Sequence, residues 1–231
     1  MREFSAVLFD LYDTLVWLDV ERSNARRVEL AQTAGLTLEQ FMPAWLRSVD
    51  DRMLGKGSGL AGHLRDTLGS LGVPASPELI ARLLDIEGRR LRESVHPYPE
   101  TEGLLSELRR RGYRLGLVSN VSDAAAIPIA HLGLDALFDV MVLSHEVGIL
   151  KPDPAIFLLA CERLSVTPDE TMFVADGGFG ELNASRRLGI FSVMVEQDHQ
   201  SKDYGASDEF DLKVGSLEAL LALLPARTLP E

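Results

Sequence analysis

The chain has 231 residues, of which 46% are hydrophobic and 25% are charged, so it can bury a substantial core and does not have the composition of a disordered protein. Its formal net charge of −12 argues against nucleic acid as a partner, because nucleic-acid binders carry basic patches. The same charge repels anionic substrates at long range, so a site for an anion needs local positive charge or a metal ion.

The N-terminal segment lacks the ordered regions of a signal peptide, and no apolar run approaches the roughly 18 residues of a membrane span. The single cysteine, Cys161, excludes an internal disulfide framework. We therefore expect a cytoplasmic protein with no membrane partner, present as a monomer or a homodimer.

The first predicted strand, Ala6–Phe9, is an apolar run that ends at an aspartate. From residue 16 to residue 95 the pattern is helical throughout. The predicted helices are Glu21–Ala34, Leu38–Met53, Gly59–Leu71 and Pro77–Ser94. Pro97 and Pro99 disfavour helix after this block.

From residue 99 onward, strand-like runs alternate with helical patterns, which is typical of parallel α/β folds. The predicted strands are Arg114–Val118, Val140–Leu143, Met172–Ala175, Ile190–Val195 and Asp211–Val214. The tail, residues 226–231, is expected to fray.

Polar residues follow several of these apolar runs. Asp10 ends the first run, Ser119 and Asn120 end the second, and Asp176 ends a later run before a Gly-rich loop. Lys151 begins a Lys-Pro-Asp-Pro segment. Ligands of open parallel sheets bind beyond the carboxyl ends of the strands, so these residues are expected to converge on one site.

The four segments, in this order, resemble the motifs of the haloacid dehalogenase superfamily, whose members are mostly phosphatases and whose founders are dehalogenases. The resemblance covers residues 5 to about 195 and includes Lys-Pro-Asp-Pro-x-x-Phe at residues 151–157. It implies a three-layer, Rossmann-like parallel-sheet core formed by residues 1–15 and 96–231. It also implies an all-helical cap domain, residues 16–95, which closes over the site and carries substrate specificity. The hinges of this cap are expected at Val16–Leu18 and Val95–Glu100.

The resemblance makes Asp10 the nucleophile. A carboxylate is ionised at neutral pH and needs no base, so it can attack phosphorus or carbon and form an ester that water hydrolyses. Thr14 and Ser119 match hydroxyl positions that hold the transferred group. Lys151 matches the lysine that neutralises the nucleophile and the bound anion. Asn120 is expected to orient the substrate, although an asparagine that only forms a turn is nearly as common.

The resemblance also implies a Mg²⁺ site. Asp176 would bind the ion together with the Asp10 carboxylate and the backbone carbonyl of Tyr12, and oxygen ligands suit this hard cation. Glu181 is expected to support these ligands from behind or through water. The alternative for Glu181 is an ordinary glutamate in the first turn of a helix.

Tyr12 departs from the phosphatase pattern, which usually has an aspartate there to protonate the leaving alkoxide. Loss of a general acid–base typically costs about 10²–10⁴-fold in rate. The founding dehalogenases have this tyrosine, since a halide leaves without a proton, but they have glycine where this chain has Asp13. In a phosphatase, Asp13 or a water molecule would have to transfer the protons.

Asp176 favours the phosphatase, because the dehalogenases work without metal and lack this aspartate. Two carboxylates 4 Å apart repel by about 4 kcal/mol at an effective dielectric constant of 20, and Mg²⁺ between them would remove that cost. Arg47, in the cap, could bind the carboxylate or the leaving halide of a dehalogenase substrate. An arginine on a helix more often packs or faces solvent.

The leading hypothesis is a Mg²⁺-dependent phosphatase that acts on a small anionic phosphate ester through an aspartyl-phosphate. The first alternative is a metal-independent 2-haloacid dehalogenase. The second is a catalytically weak protein that acts by binding or regulation.

Overall fold

The computed structural model describes residues 2–198 and 209–227. Its strands within that part are β1 (Ala6–Phe9), β2 (Val16–Leu18), β3 (Val95–Pro97), β4 (Arg114–Ser119), β5 (Val140–Leu143), β6 (Thr171–Ala175), β7 (Phe191–Val195) and β8 (Leu212–Val214). Six of them form one sheet in the order β5-β4-β1-β6-β7-β8, and every neighbouring pair is parallel. The predicted parallel α/β core is confirmed.

The described α-helices are α1 (Val20–Thr33), α2 (Leu38–Leu46), α3 (Val49–Met53), α4 (Gly59–Ser70), α5 (Pro77–Ser94), α6 (Thr101–Arg110), α7 (Ala126–His131), α8 (Ser144–Val147), α9 (Pro154–Leu164), α10 (Glu181–Arg187) and α11 (Leu220–Leu223). None of them has both the length and the apolar composition that a membrane span requires. In the tail that was predicted to fray, residues 228–231 lie outside the described part.

Strand β1 is buried on both faces, which explains its uninterrupted apolar sequence. Successive side chains of a strand point to opposite faces of the sheet. Leu8 packs with α9 and α10 on one face, in the same cluster as Phe173 of β6. Val7 and Phe9 pack on the other face with the apolar residues of α6 and α11. The sheet is therefore the middle layer of three.

The five helices α1 to α5 lie between β2 and β3, in the segment predicted to be the helical cap. Strands β2 and β3 pair in antiparallel fashion, with Trp17 opposite His96. The carbonyl of Leu15 accepts hydrogen bonds from the Tyr98 backbone N–H at 3.0 Å and the Thr101 hydroxyl at 2.6 Å. The two segments predicted as hinges are thus a short ribbon, which holds both ends of the cap beside the sheet.

The prediction of one continuous helix over Leu38–Met53 is wrong, because α2 ends at Leu46 and α3 begins at Val49. The carbonyl of Trp45 accepts hydrogen bonds from the Ser48 hydroxyl and the Arg52 guanidinium at this break. Side chains that bond to the backbone in this way compete with helix propagation. The bounds of the other predicted helices and strands agree with the structure to within one residue.

The loop after α3 brings the cap against the core at Gly55. A Cβ atom added to Gly55 would lie 1.9 Å from the carbonyl oxygen of His145 in α8, and the φ angle of Gly55 is +67°. Gly72 has a similar φ of +70° but no atom within 4 Å of such a Cβ. Comparing substitutions at Gly55 and Gly72 therefore separates the effect of backbone strain from the effect of overlap with neighbouring atoms.

We predict that Gly55→Ala destabilises the protein by at least 1 kcal/mol more than Gly72→Ala, since both add strain but only the first adds overlap with backbone atoms. Urea unfolding of the two variants and the wild type measures this difference. Equal losses in the two variants would show that the cap does not hold this contact with the core in solution.

Candidate active site

A cavity of about 180 Å³ opens at the carboxyl ends of the central strands, between the core and the cap. The residues that line it are Asp10, Tyr12, Asp13, Met53, Ser119, Asn120, Lys151, Asp176, Gly178, Phe179 and Glu181. Eight of these are residues that the sequence predicted for the site. Strands β1, β4 and β6 are hydrogen-bonded neighbours, which explains why residues so far apart in sequence meet here.

Lys151 is the positive centre of this site. Its ammonium group lies 2.5 Å from Oδ1 of Asp10 and 2.5 Å from Oε2 of Glu181, and the lysine is only 4% exposed. Burial lowers the pKa of Lys151, but the charges of Asp10 and Glu181 outweigh it and raise the pKa above its ordinary value. The lysine is therefore a permanent cation that fixes the orientation of Asp10.

Asn120 positions Lys151 through the backbone. Its side-chain amide donates a hydrogen bond of 2.8 Å to the carbonyl of Lys151 and accepts one of 2.7 Å from the N–H of Lys151. This pair of bonds ties the end of β4 to the loop before α9. Asn120 also lines the cavity, so contact with a substrate, as predicted from the sequence, remains open to it.

Asp176 is close to other negative charges. Burial, followed by the charge of Asp10, raises its pKa from 3.8 to about 6. The backbone N–H of Gly178 lies 3.4 Å from Oδ1 of Asp176 and offsets only part of this effect. Ionisation of Asp176 is thus less favourable than that of an ordinary aspartate, and a cation bound beside it would offset this effect.

Asp10, Asp176 and Glu181 fit a divalent cation. One carboxylate oxygen from each lies within 4.8 Å of the others. Oε1 of Glu181 is buried and has no hydrogen-bond partner among the described residues. An all-oxygen set of this kind suits Mg²⁺. Glu181 is therefore close enough to bind the ion directly, in addition to the supporting role predicted for it. The contact of the Tyr12 carbonyl with the ion stays a prediction.

Tyr12 cannot act as a base at neutral pH. Burial raises the pKa of its phenol to about 12, and the charges of Arg90, Glu87 and Asp10 act on it as smaller effects. The phenol therefore keeps its proton. Asp13 lines the same cavity and carries the carboxylate that position 12 lacks, with its backbone in the left-handed region at φ 57°.

The two predicted hydroxyl groups lie in different surroundings. Ser119, the last residue of β4, lines the cavity. Thr14 is fully buried and is not part of the lining, and its hydroxyl has no hydrogen-bond partner among the described residues. Ser119 is thus in place to contact a substrate, and Thr14 is in reach only of a group that enters more deeply.

The structure does not bring Arg47 to the cavity. Arg47 follows the last residue of α2 and is exposed to solvent. Two residues that the sequence did not single out are present instead. Met53 enters from the cap, and Phe179, 60% exposed at φ 59°, forms part of the rim. An aromatic residue among glycines just before Glu181 was the available signal for Phe179.

The sequence is similar to those of known proteins. A family model described as a haloacid dehalogenase-like hydrolase matches residues 4–189. The glyceraldehyde 3-phosphate phosphatase of Methanopyrus kandleri is 29% identical over 195 residues, covering 83% of this chain and 84% of that protein. The (S)-2-haloacid dehalogenase 1 of a Pseudomonas species is 26% identical, covering 97% of this chain and 98% of its own.

A solved structure shows the same fold. The crystal structure of a HAD phosphatase from Thermococcus onnurineus superposes with a TM-score of 0.68 at 23% identity. The superposition covers 96% of this chain and 99% of that one. The fold is thus shared over both the sheet and the inserted helices.

We predict that Asp176→Asn stabilises the metal-free protein above pH 7 by about 1–2 kcal/mol, because it removes a carboxylate whose ionisation opposes folding. The folded pKa of about 6 exceeds the ordinary value of 3.8, so wild-type stability falls as the pH rises between these values. The gain from the substitution should therefore vanish below about pH 4. Thermal unfolding in EDTA across this range measures it, and a gain that is independent of pH would contradict the assignment.

Proposed function

The chain belongs to the haloacid dehalogenase-like hydrolase family, and from that premise we propose that it is a Mg²⁺-dependent phosphatase for a small phosphate ester. The observation that carries the proposal is the charge of the cavity. Four carboxylates line it, those of Asp10, Asp13, Asp176 and Glu181, and Lys151 is the one lysine or arginine among the lining residues that the structure describes. A phosphate dianion is repelled by these carboxylates, and a divalent ion held by Asp10 and Asp176 would offset part of that repulsion.

In this reaction a carboxylate oxygen of Asp10 attacks phosphorus, and the bond from phosphorus to the ester oxygen breaks. Lys151 holds Asp10 in place and neutralises the negative charge that collects around it. Ser119 and Thr14 donate hydrogen bonds to the phosphoryl oxygens. Water then attacks the aspartyl-phosphate and releases phosphate and Asp10. When bound, Mg²⁺ supplies charge stabilisation to the transferred phosphoryl group.

Proton transfer falls to Asp13, because the phenol of Tyr12 keeps its proton. For this role Asp13 carries a proton when the ester binds. It gives that proton to the leaving alkoxide, and the resulting carboxylate then accepts one from the attacking water. Asp13 lies three residues beyond the nucleophile, rather than at the position two residues beyond it that the family's phosphatases use. We therefore expect low turnover on substrates whose leaving group needs protonation.

A second candidate function is hydrolysis of a 2-haloacid. Tyr12 favours it, and so does the similarity to an (S)-2-haloacid dehalogenase along nearly the whole chain. Asp176 opposes it, because a second carboxylate beside Asp10 hinders a metal-free attack on carbon. Similarity to the phosphatase of Methanopyrus kandleri supports the first candidate over comparable lengths.

We predict that wild-type protein with Mg²⁺ releases phosphate from p-nitrophenyl phosphate, and that EDTA or Asp10→Asn abolishes the release. Halide release from 2-chloropropionate is measured in parallel with EDTA present. Metal-independent halide release combined with no phosphate release would establish the dehalogenase. No product in either assay would leave a binding or regulatory role as the remaining alternative.

We predict that Tyr12→Asp raises kcat for ethyl phosphate by about tenfold or more, since the new carboxyl group can protonate a poor leaving group. The increase for p-nitrophenyl phosphate should be smaller, because nitrophenolate leaves without a proton. Tyr12→Asn is the control, since it changes the size of the side chain in the same way without adding an acid. Equal rates for the Asp and Asn variants on ethyl phosphate would refute the assigned role of position 12.

A further inference from the structure

Phe179 combines high exposure with a strained backbone at the rim of the cavity. It lines the cavity and is 60% exposed, more than any other aromatic residue in the part of the chain that the structure describes. Its φ of 59° and ψ of 18° lie in the left-handed region, which is costly for a residue with a Cβ atom. An exposed ring recovers little of that cost through burial. Packing of the protein therefore does not explain this residue.

The same type of strain marks one other lining residue. Within the described residues, Asp13, Ser165 and Phe179 are the non-glycine residues with positive φ. Ser165 follows the last residue of α9, where a left-handed residue commonly ends a helix. Asp13 and Phe179 line the cavity instead. Backbone strain of this kind clusters at sites that contact ligands. The conformation of Phe179 is thus better explained by the cavity than by the fold.

Phe179 and Met53 are the two purely apolar side chains among the lining residues that the structure describes. Met53 ends α3 of the cap, whereas Phe179 lies between β6 and α10 of the core. Aromatic rings pack favourably against other rings, and the methionine sulfur also contacts rings favourably. An aromatic group in the substrate would therefore find an apolar partner on each of the two parts of the chain.

The other lining groups restrict the charge of the leaving group. Lys151 is the one lysine or arginine among the described lining residues, and it already contacts Asp10 and Glu181. A second negative group on the substrate would meet the carboxylates of Asp13 and Asp176 with no further cation from the described lining. The group that leaves from phosphorus is therefore expected to be uncharged before the bond breaks.

Position 12 restricts the same group in another way. Tyr12 stands where the family's phosphatases usually have the acid that protonates the leaving oxygen. A phenol has an ordinary pKa of about 10, so it leaves as its anion more readily than an aliphatic alcohol does. An aromatic leaving group thus fits both the apolar side chains and the absence of an acid at position 12.

We propose that Phe179 determines specificity by packing against the leaving group, and that the substrate is the phosphate ester of an uncharged phenol. Asp10 attacks phosphorus, and the bond from phosphorus to the aryl oxygen breaks with its electron pair on that oxygen. Solvent water supplies the proton that converts the phenoxide to the phenol. Water then hydrolyses the aspartyl-phosphate and releases phosphate. This assignment rests on the proposed phosphatase function.

The first test compares phenyl phosphate with ethyl phosphate in the wild type, Phe179→Leu and Phe179→Gly. Removal of the side chain in Phe179→Gly should lower kcat/KM for phenyl phosphate about 10-fold, and Phe179→Leu should lower it less because an apolar group remains. The value for ethyl phosphate should change much less, since an ethyl group offers little surface to the ring. Equal losses on both esters, or a leucine variant identical to the wild type, would overturn the proposal.

Phe210→Leu is the matched control for these variants. Phe210 is also an exposed phenylalanine, 37% exposed, but it is not part of the cavity lining. This variant should keep the wild-type kcat/KM on both esters. A loss on phenyl phosphate as large as that of Phe179→Leu would show that the effect is not specific to the cavity, and would overturn the proposal.

A pair of substituted esters tests the charge of the leaving group. The meta-carbamoylphenyl and meta-carboxyphenyl esters of phosphate are nearly equal in size, but only the second carries a carboxylate. Wild-type kcat/KM should favour the carbamoyl ester, because the lining carboxylates repel the other. Equal values, or a preference for the carboxyl ester, would overturn the assignment of an uncharged phenol.

Thermal unfolding separates a contact with substrate from a structural role. Glycine adopts the left-handed conformation without strain, and the ring of an exposed phenylalanine contributes little burial. Phe179→Gly should therefore unfold at the wild-type temperature or at a higher one in the absence of ligand. A clear fall in the unfolding temperature would assign Phe179 to the folding of its loop and would overturn the proposal.

Calorimetry distinguishes failure of this assignment from failure of the phosphatase proposal. If the wild type hydrolyses none of the esters, binding of benzylphosphonate is compared with that of propylphosphonate in the presence of Mg²⁺. These compounds replace the ester oxygen of phenyl and ethyl phosphate by a methylene group. Tighter binding of benzylphosphonate that Phe179→Gly abolishes would support the aromatic site even though the phosphatase proposal had failed. Equal binding of the two phosphonates would overturn the aromatic site.

Discussion

The ion pairs of Lys151 are the interaction on which the rest of the site depends. The buried ammonium group of Lys151 lies 2.5 Å from a carboxylate oxygen of Asp10 and 2.5 Å from one of Glu181, two residues far apart in the sequence. Without it, adjacent carboxylates at the ends of β1 and β6 would repel one another in a poorly solvated cavity. The two hydrogen bonds of Asn120 fix the backbone that carries the lysine. Asp10, the proposed nucleophile, is thus oriented before any substrate arrives.

The charges of this protein are separated between its two parts. The core contributes more carboxylates than cations to the cavity, whereas the cap helices bury two arginines, Arg52 and Arg90, and one glutamate, Glu87. The overall charge of −12 hides this asymmetry.

The fold and the core of the site could be predicted because they follow from local patterns. Apolar runs that end in polar residues predict strands whose carboxyl ends meet, and β1, β4 and β6 do meet there. The break in the cap at Ser48 could not be predicted, since it depends on side-chain bonds to one carbonyl. The sequence also did not distinguish the buried Arg52 from the exposed Arg47, because helical spacing does not reveal which arginines are buried.

The ribbon of β2 and β3 has a consequence for the modularity of the chain. Because Trp17 lies opposite His96, the cap leaves the core and returns to it at neighbouring points about 5 Å apart. A two-residue turn can span such a gap. In topological terms, the cap is therefore a long insertion at the tip of a β-hairpin. Its helices could be exchanged for those of another protein, or deleted, without changing the order or connections of the strands in the six-stranded sheet.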